Sequence, residues 1–187
     1  MKTMRLIAVM MFAACMMTGC KDNKPAPDTG QQGMTKDAGY NDNDTTTYGI
    51  CGEGTAMHTL ELKGDDGNIH TYIINLDDST SMVLGGLLNG DRLAVISDVI
   101  WGDSIATKVI NLTTLLGKWT SIDKNFEIKE GGVIQSNMEA ESNPWTTWKI
   151  FNGQLVLNKD TFDIMELGAD SLFIENKNGI FGYKRQK

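Results

Sequence analysis

The chain has 187 residues, of which 41% are hydrophobic, so it holds enough apolar side chains to bury a core. Its 24 acidic side chains outnumber its 17 basic ones, which gives a net charge of -7. An acidic protein repels polyanions, so this balance excludes nucleic acid as a partner. Only Cys51 follows the first twenty residues, so the rest of the chain has no second thiol for an intrachain disulfide.

Residues 1–19 have the layout of a secretory signal peptide. A positive start precedes an apolar run over 6–17, and the small pair Thr18-Gly19 then precedes Cys20. Residues 17–20 resemble the lipobox of bacterial lipoproteins, whose final cysteine takes a diacylglyceryl group. The resemblance implies that Cys20 anchors the protein by lipid in the bacterial outer membrane, on its periplasmic side or at the cell surface. The alternatives are an ordinary cleaved signal and an uncleaved anchor, although a spanning helix needs ~20 apolar residues.

Residues 20–46 are predicted to form a flexible tether, because their Pro, Gly, Gln, Asp, Asn and Thr side chains offer little to bury. A flexible segment of this length spans about 25–30 Å on average, enough to hold the folded part off a membrane. The acidic run at 41–44 resembles the start of a calcium loop. The EF-hand pattern needs a glycine and then a glutamate where this sequence has Thr46 and Gly52, so we interpret the run as solvated linker.

Residues 47–112 are predicted to form a small all-β barrel of five strands, since short alternating runs are separated by turn residues. The runs lie near Ile50–Thr55 and at Thr59–Lys63, Ile69–Ile74, Leu93–Ile96 and Ile105–Ile110. The spacing, with Gly90-Asp91 leading into a strand, resembles an OB-fold. Some OB-folds bind oligonucleotides or sugars. Residues 45–112 contain three basic side chains and nine acidic ones, so their negative charge again excludes nucleic acid as a partner.

Residues 113–187 are predicted to form an eight-stranded up-and-down meander, because every connection is short. The predicted strands are Gly117–Ser121, Phe126–Glu130, Val133–Ser136, Thr146–Phe151, Gln154–Asn158, Thr161–Leu167, Leu172–Glu175 and Ile180–Arg185. Gly117-Lys118-Trp119 resembles the Gly-x-Trp signature of lipocalins, and the whole unit is similar to compact lipocalin-like domains of Bacteroidetes lipoproteins. The resemblance implies that Trp119 packs at the closed end of the barrel and that Arg185 stacks on it as a cation on a π face.

The two barrels are joined by the short apolar segment Asn111–Leu115, so we expect them to pack against each other. The sequence contains no Gly-x-Ser-x-Gly or P-loop motif and no paired Cys and His, which predicts a protein without catalytic residues. A metal set of Cys51, Glu53 and His58 is conceivable, but ordinary packed or solvated side chains explain these residues better, and no cofactor is expected.

Trp145 and Trp148 are the candidate contacts for a ligand or partner. Trp148 has the strand parity of the core, whereas Trp145 has the opposite parity, which suits a contact residue at the barrel rim; the alternative is that both are core residues. The first functional hypothesis is a lipid-anchored, noncatalytic envelope protein that binds a partner protein or a small apolar or glycan ligand. The second is an envelope assembly or stress-sensing component without a ligand of its own. A third, an envelope hydrolase or hydrolase inhibitor, has no motif in its support.

Overall fold

The computed structural model describes residues 43–75, 80–138 and 142–186. The predicted signal peptide, the proposed lipidation residue Cys20 and most of the predicted tether lie outside these ranges. Within them the chain is almost entirely β-structure, arranged as two small barrels. The predicted all-β class and its two-barrel architecture are confirmed.

The first barrel is a closed ring of five strands, with a sixth short strand paired to the last one. The strands are β1 (Thr47–Cys51), β2 (Thr59–Gly64), β3 (Ile69–Ile73), β4 (Met82–Leu84), β5 (Arg92–Ile100) and β6 (Asp103–Asn111). The ring runs β3-β2-β1-β5-β6 and closes where Ile73 pairs in parallel with Ile105. Because β5 returns to the side of β1, the connection is of the Greek-key kind found in OB-like barrels.

Two details of the first barrel differ from the prediction. The first strand covers Thr47–Cys51 and ends before Thr55, because the Thr55 hydroxyl accepts a hydrogen bond from the Glu61 N–H (3.1 Å) and belongs to the β1–β2 connection. The sequence pattern does not predict β4, since three residues are too few to show an alternation. This strand forms because its backbone pairs in parallel with β6.

The second barrel is a nearly closed ring of eight antiparallel strands. They are β7 (Gly117–Thr120), β8 (Asn125–Lys129), β9 (Val133–Ser136), β10 (Trp148–Phe151), β11 (Gln154–Leu157), β12 (Asp160–Leu167), β13 (Ser171–Asn176) and β14 (Gly179–Arg185). Sequence neighbours pair throughout except between β9 and β10, and β14 pairs with β7, so the predicted meander is confirmed. The bridge between Val133 and Thr147 joins the ring across the remaining gap.

Strand β10 begins at Trp148, two residues later than predicted. The Oδ1 atom of Asn158 accepts hydrogen bonds from the N–H groups of Thr146 (2.9 Å) and Thr147 (3.1 Å). A turn side chain therefore takes the place of the β10–β11 ladder at these two positions.

The core of the second barrel continues into the junction between the two barrels, and the first barrel also holds a separate hydrophobic cluster of its own. The single-turn helix α1 (Leu112–Leu115) connects the two barrels, and its two leucines are buried in a cluster that contains side chains from both barrels. The backbone also joins the barrels, because the Gly85 N–H donates to the Leu167 carbonyl (2.9 Å). The Tyr48 hydroxyl donates to the Ile150 carbonyl (2.8 Å). The prediction that the barrels pack against each other is confirmed.

Candidate interaction surface

The end of the second barrel that faces the first is closed by Trp119. Its indole is fully buried, and its Nε1–H donates to the carbonyl of Leu115 at 2.9 Å. The guanidinium carbon of Arg185 lies 4.2 Å from the centroid of the Trp119 ring, in the stacked arrangement that the lipocalin resemblance implies. The same guanidinium donates to the carbonyls of Thr114, Leu116 and Ala169. Burial lowers the pKa of Arg185 from its ordinary value.

Gly117 completes this closed end because it leaves room for the arginine. Its φ is 120°, a backbone conformation that a residue with a Cβ rarely adopts. A Cβ at Gly117 would lie 2.5 Å from the Nη1 atom of Arg185. Gly117, Trp119 and Arg185 therefore form one structural unit that ties α1 to the barrel, and their contacts are internal.

The opposite end of the second barrel is covered by Trp145. This indole is half-buried and meets the rings of Phe126 (5.2 Å between centroids) and Phe162 (5.8 Å) edge-on. The ammonium group of Lys124 lies 4.3 Å from the centroid of the Trp145 ring. Trp145 is thus a plug at the rim, and most of its contacts are made to the barrel itself.

Trp148 lies inside the second barrel and is only 4% exposed. Its Nε1–H donates to the carbonyl of Lys129 at 2.7 Å, which helps to hold β10 beside the end of β8. The structure therefore places Trp148 among core residues and separates it from any surface that a partner could reach.

Side chains fill the interior of the second barrel. The inward-facing, buried residues are Trp119, Phe126, Ile128, Ile134, Trp148, Ile150, Leu155, Leu157, Phe162, Ile164, Leu172, Ile174 and Tyr183. Such an interior is a packed core, and a small ligand would have to displace it. The geometry thus favours recognition on the outer surface of the molecule.

The described residues contain no cluster of side chains that could bind a metal ion. No three side chains of His, Cys, Asp or Glu converge there, so Cys51, Glu53 and His58 do not form the conceivable set. Cys51 is buried, with its Sγ 3.4 Å from the Thr55 hydroxyl. No helix within the described ranges has the length and apolar character needed to cross a bilayer.

His70 belongs to an exposed turn cluster. Its Nε2 lies 2.9 Å from Oδ2 of Asp66. Hydrogen bonds from the side chain and backbone of Asn68, and then from His70, lower the pKa of Asp66 to about 2. These contacts are local to the β2–β3 turn, and they explain the conformation of that turn without a ligand.

The outer half of the β5–β6 hairpin stands clear of the first barrel. Leu93–Val95 are buried, whereas side chains 97–104 are exposed except for the half-buried Ile100. Trp101, at the tip, is 100% exposed, and Val99 beside it is 69% exposed. The tip therefore presents an apolar patch on a convex surface.

Trp101 occupies a turn position that disfavours its side chain. It and Gly102 are the two central residues of the turn, and their φ values are 56° and 93°. A two-residue turn with two positive φ values favours Asn-Gly or Asp-Gly. The other non-glycine residues with positive φ in the described ranges are Asn152 and Asn158, which follow that preference. Left-handed backbone at a bulky residue costs about 1–2 kcal/mol, so stability does not explain Trp101.

The base of the hairpin is braced by the second barrel. The side chains of Ile96 and Lys108 pack against Gly153, where an added Cβ would lie 2.8 Å from Cγ1 of Ile96. The Lys108 ammonium lies 3.7 Å from Oδ1 of Asp163. The Thr107 hydroxyl donates across the hairpin to the Ile96 carbonyl (3.2 Å). The tip is thus carried on a supported stem.

The sequence pattern predicts the runs Leu93–Ile96 and Ile105–Ile110 but does not single out Trp101 between them. The sequence feature that indicates Trp101 is its position directly before the turn residue Gly102, where asparagine is favoured. Comparisons with protein-family models, with curated proteins and with solved structures find no match to this chain. The functional interpretation therefore rests on the geometry of the chain itself.

Proposed function

We propose that this chain is a lipid-anchored, noncatalytic protein of the bacterial outer envelope, and that it binds a partner protein through the tip of its β5–β6 hairpin. The anchor is supported by the pattern of residues 1–20, which resembles a lipoprotein leader. The binding role is carried by one observation, the fully exposed Trp101 at a position where its side chain makes the turn less stable. Strain of this kind persists where it serves function.

The shape of the tip favours a protein over a small ligand. Small molecules are held in concave, mostly apolar sites, whereas Trp101 lies on a convex tip and the second barrel is packed. A projecting indole fits a pocket on a larger molecule, where a side chain of this kind buries about 150–250 Å². Tryptophan is also among the residues that contribute most to binding at protein interfaces.

Co-purification from native membranes tests this function. The full-length lipidated chain is compared with Trp101→Asn, whose new residue suits the turn. The matched control is Ile122→Asn, since Ile122 is 98% exposed on the β7–β8 turn of the other barrel. Loss of an interface tryptophan costs at least about 2 kcal/mol, so the partner should bind the Trp101 variant at least about tenfold more weakly. The Ile122 variant should retain it. Equal recovery of the same proteins by all three chains would refute the proposal.

A further inference from the structure

We infer that the partner carries an apolar pocket rimmed by lysine or arginine side chains, an inference that rests on the proposed function of the hairpin tip. Segment 97–104 contains two acidic residues, Asp98 and Asp103, and no lysine or arginine. Both carboxylates are exposed, and both lie within three residues of the exposed Trp101 in the sequence. The tip therefore combines an indole with two negative charges.

The register of the hairpin places one acid on each strand. Asp98 lies opposite Ile105, and Asp103 lies opposite Ile100, so the acids precede and follow the turn. Asp98 and Ile100 share a face of the hairpin, and Asp103 pairs with Ile100, so both carboxylates lie on that one face. If the indole enters a pocket, these carboxylates come to the same side of the edge of that pocket. Charges at the rim of an interface act mainly on association rate, salt dependence and choice of partner.

The two carboxylates are not neutralised within the fold. In the described part of the chain neither forms an ion pair, and Asp98 only accepts a hydrogen bond from the Val99 N–H (2.8 Å). By contrast, the lysine on the hairpin stem, Lys108, is already paired with Asp163. The negative charge of the tip is thus available to a basic partner surface.

The same charges disfavour two other occupants. An anionic bilayer surface repels acidic side chains, so the tip is poorly suited to lie on the membrane to which the chain is proposed to be anchored. A second copy of the chain is disfavoured because the molecule carries a net charge of -7. A protein with a basic rim is the occupant that complements both the indole and the acids.

Photo-crosslinking of the full-length chain in its native membranes tests this inference. A photoreactive benzoylphenylalanine replaces Val99, so that Trp101 is retained. The adduct is measured in this background, in Asp98→Asn/Asp103→Asn, in Trp101→Asn and in the control Asp123→Asn, an exposed acid on the β7–β8 turn. The purified chain is also irradiated with phosphatidylethanolamine–phosphatidylglycerol vesicles.

We expect a discrete protein adduct whose yield falls about three- to tenfold in the double variant and to a similar extent between low and high salt. The Asp123 variant should match the parent, and the crosslinked partner peptide should map beside lysines or arginines. If the adduct is lost in Trp101→Asn but its yield is unchanged in the double aspartate variant and at high salt, this inference would be overturned while the proposed function would stand. Adducts to a second copy, or to vesicle lipid alone, would overturn it in favour of those occupants. No adduct in any background would overturn both.

Discussion

Replacing Gly117 with alanine tests why the Gly-x-Trp pattern and Arg185 occur together. The alanine must adopt a φ of 120° and bring a methyl group 2.5 Å from Nη1 of Arg185. Gly179 is a matched control, since its φ is 132° and nothing lies within 4 Å of an added Cβ. Both substitutions incur the backbone cost of about 1–3 kcal/mol, but only the first displaces the guanidinium.

The additional cost follows from what the guanidinium contacts. Its stacking on Trp119 is worth about 1–2 kcal/mol. Its bonds to three carbonyls are charge-assisted, although water reaches this half-buried group and replaces part of their energy. We therefore expect Gly117→Ala to lower the free energy of unfolding by about 2 kcal/mol more than Gly179→Ala.

Urea denaturation followed by tryptophan fluorescence measures this difference, and a double-mutant cycle with Arg185→Ala assigns its cause. In the Arg185→Ala background the two glycine substitutions should cost the same within about 0.5 kcal/mol, because the displaced group is gone. Equal costs of the two glycine substitutions in the parent background would show that the guanidinium of Arg185 moves without loss of stability, which would rule out this role for Gly117.

Three further predictions concern the hairpin tip, the β2–β3 turn and the hydrophobic cluster at the junction of the two barrels. Trp101→Asn should raise the free energy of unfolding by about 1 kcal/mol in urea titration, because asparagine suits positive φ, and a loss of stability would contradict this. The carboxyl of Asp66 should titrate with a pKa of about 2 when followed by NMR, and Asn68→Ala should raise that pKa towards 3.8. Because the pKa is lower in the folded state, the ionised carboxylate stabilises the fold above about pH 4, and this contribution is lost as the pH falls towards 2. Leu115→Ala should cost about 2–5 kcal/mol and leave a single unfolding transition by calorimetry, whereas two separated transitions would contradict coupling of the barrels through the junction cluster.

The strands of the second barrel follow from the sequence because local chemistry decides them. Buried and less buried side chains alternate in runs such as β11, and residues such as Asn152-Gly153 supply the positive φ that tight hairpins need. The same local rules miss β4, whose three residues pair only because β6 lies beside them. These rules also begin β10 at Thr146, because they cannot show that the Asn158 side chain accepts the hydrogen bond from the Thr146 N–H.

The sequence pattern alone does not show which tryptophans the fold buries and which it exposes. Trp145 and Trp148 attract attention as aromatic residues near a predicted rim, but burial of the first and packing of the second depend on strands that are distant in sequence. Trp101 lacks such neighbours, and its exposure follows from the length of β5 and β6 beyond the barrel core. Tertiary contacts, rather than residue type, therefore separate the buried Trp119 and Trp148 from the fully exposed Trp101.

Hydroxyl-radical footprinting of Trp101 measures whether another molecule covers the hairpin tip in the cell. The oxidation rate of this residue is compared between the purified chain and the full-length chain in intact cells, with the equally exposed Ile122 as the internal reference. A contact at the hairpin tip predicts several-fold protection of Trp101 in cells and little change at Ile122. Equal oxidation of Trp101 in both settings, relative to Ile122, would contradict the assignment of this hairpin as the binding surface.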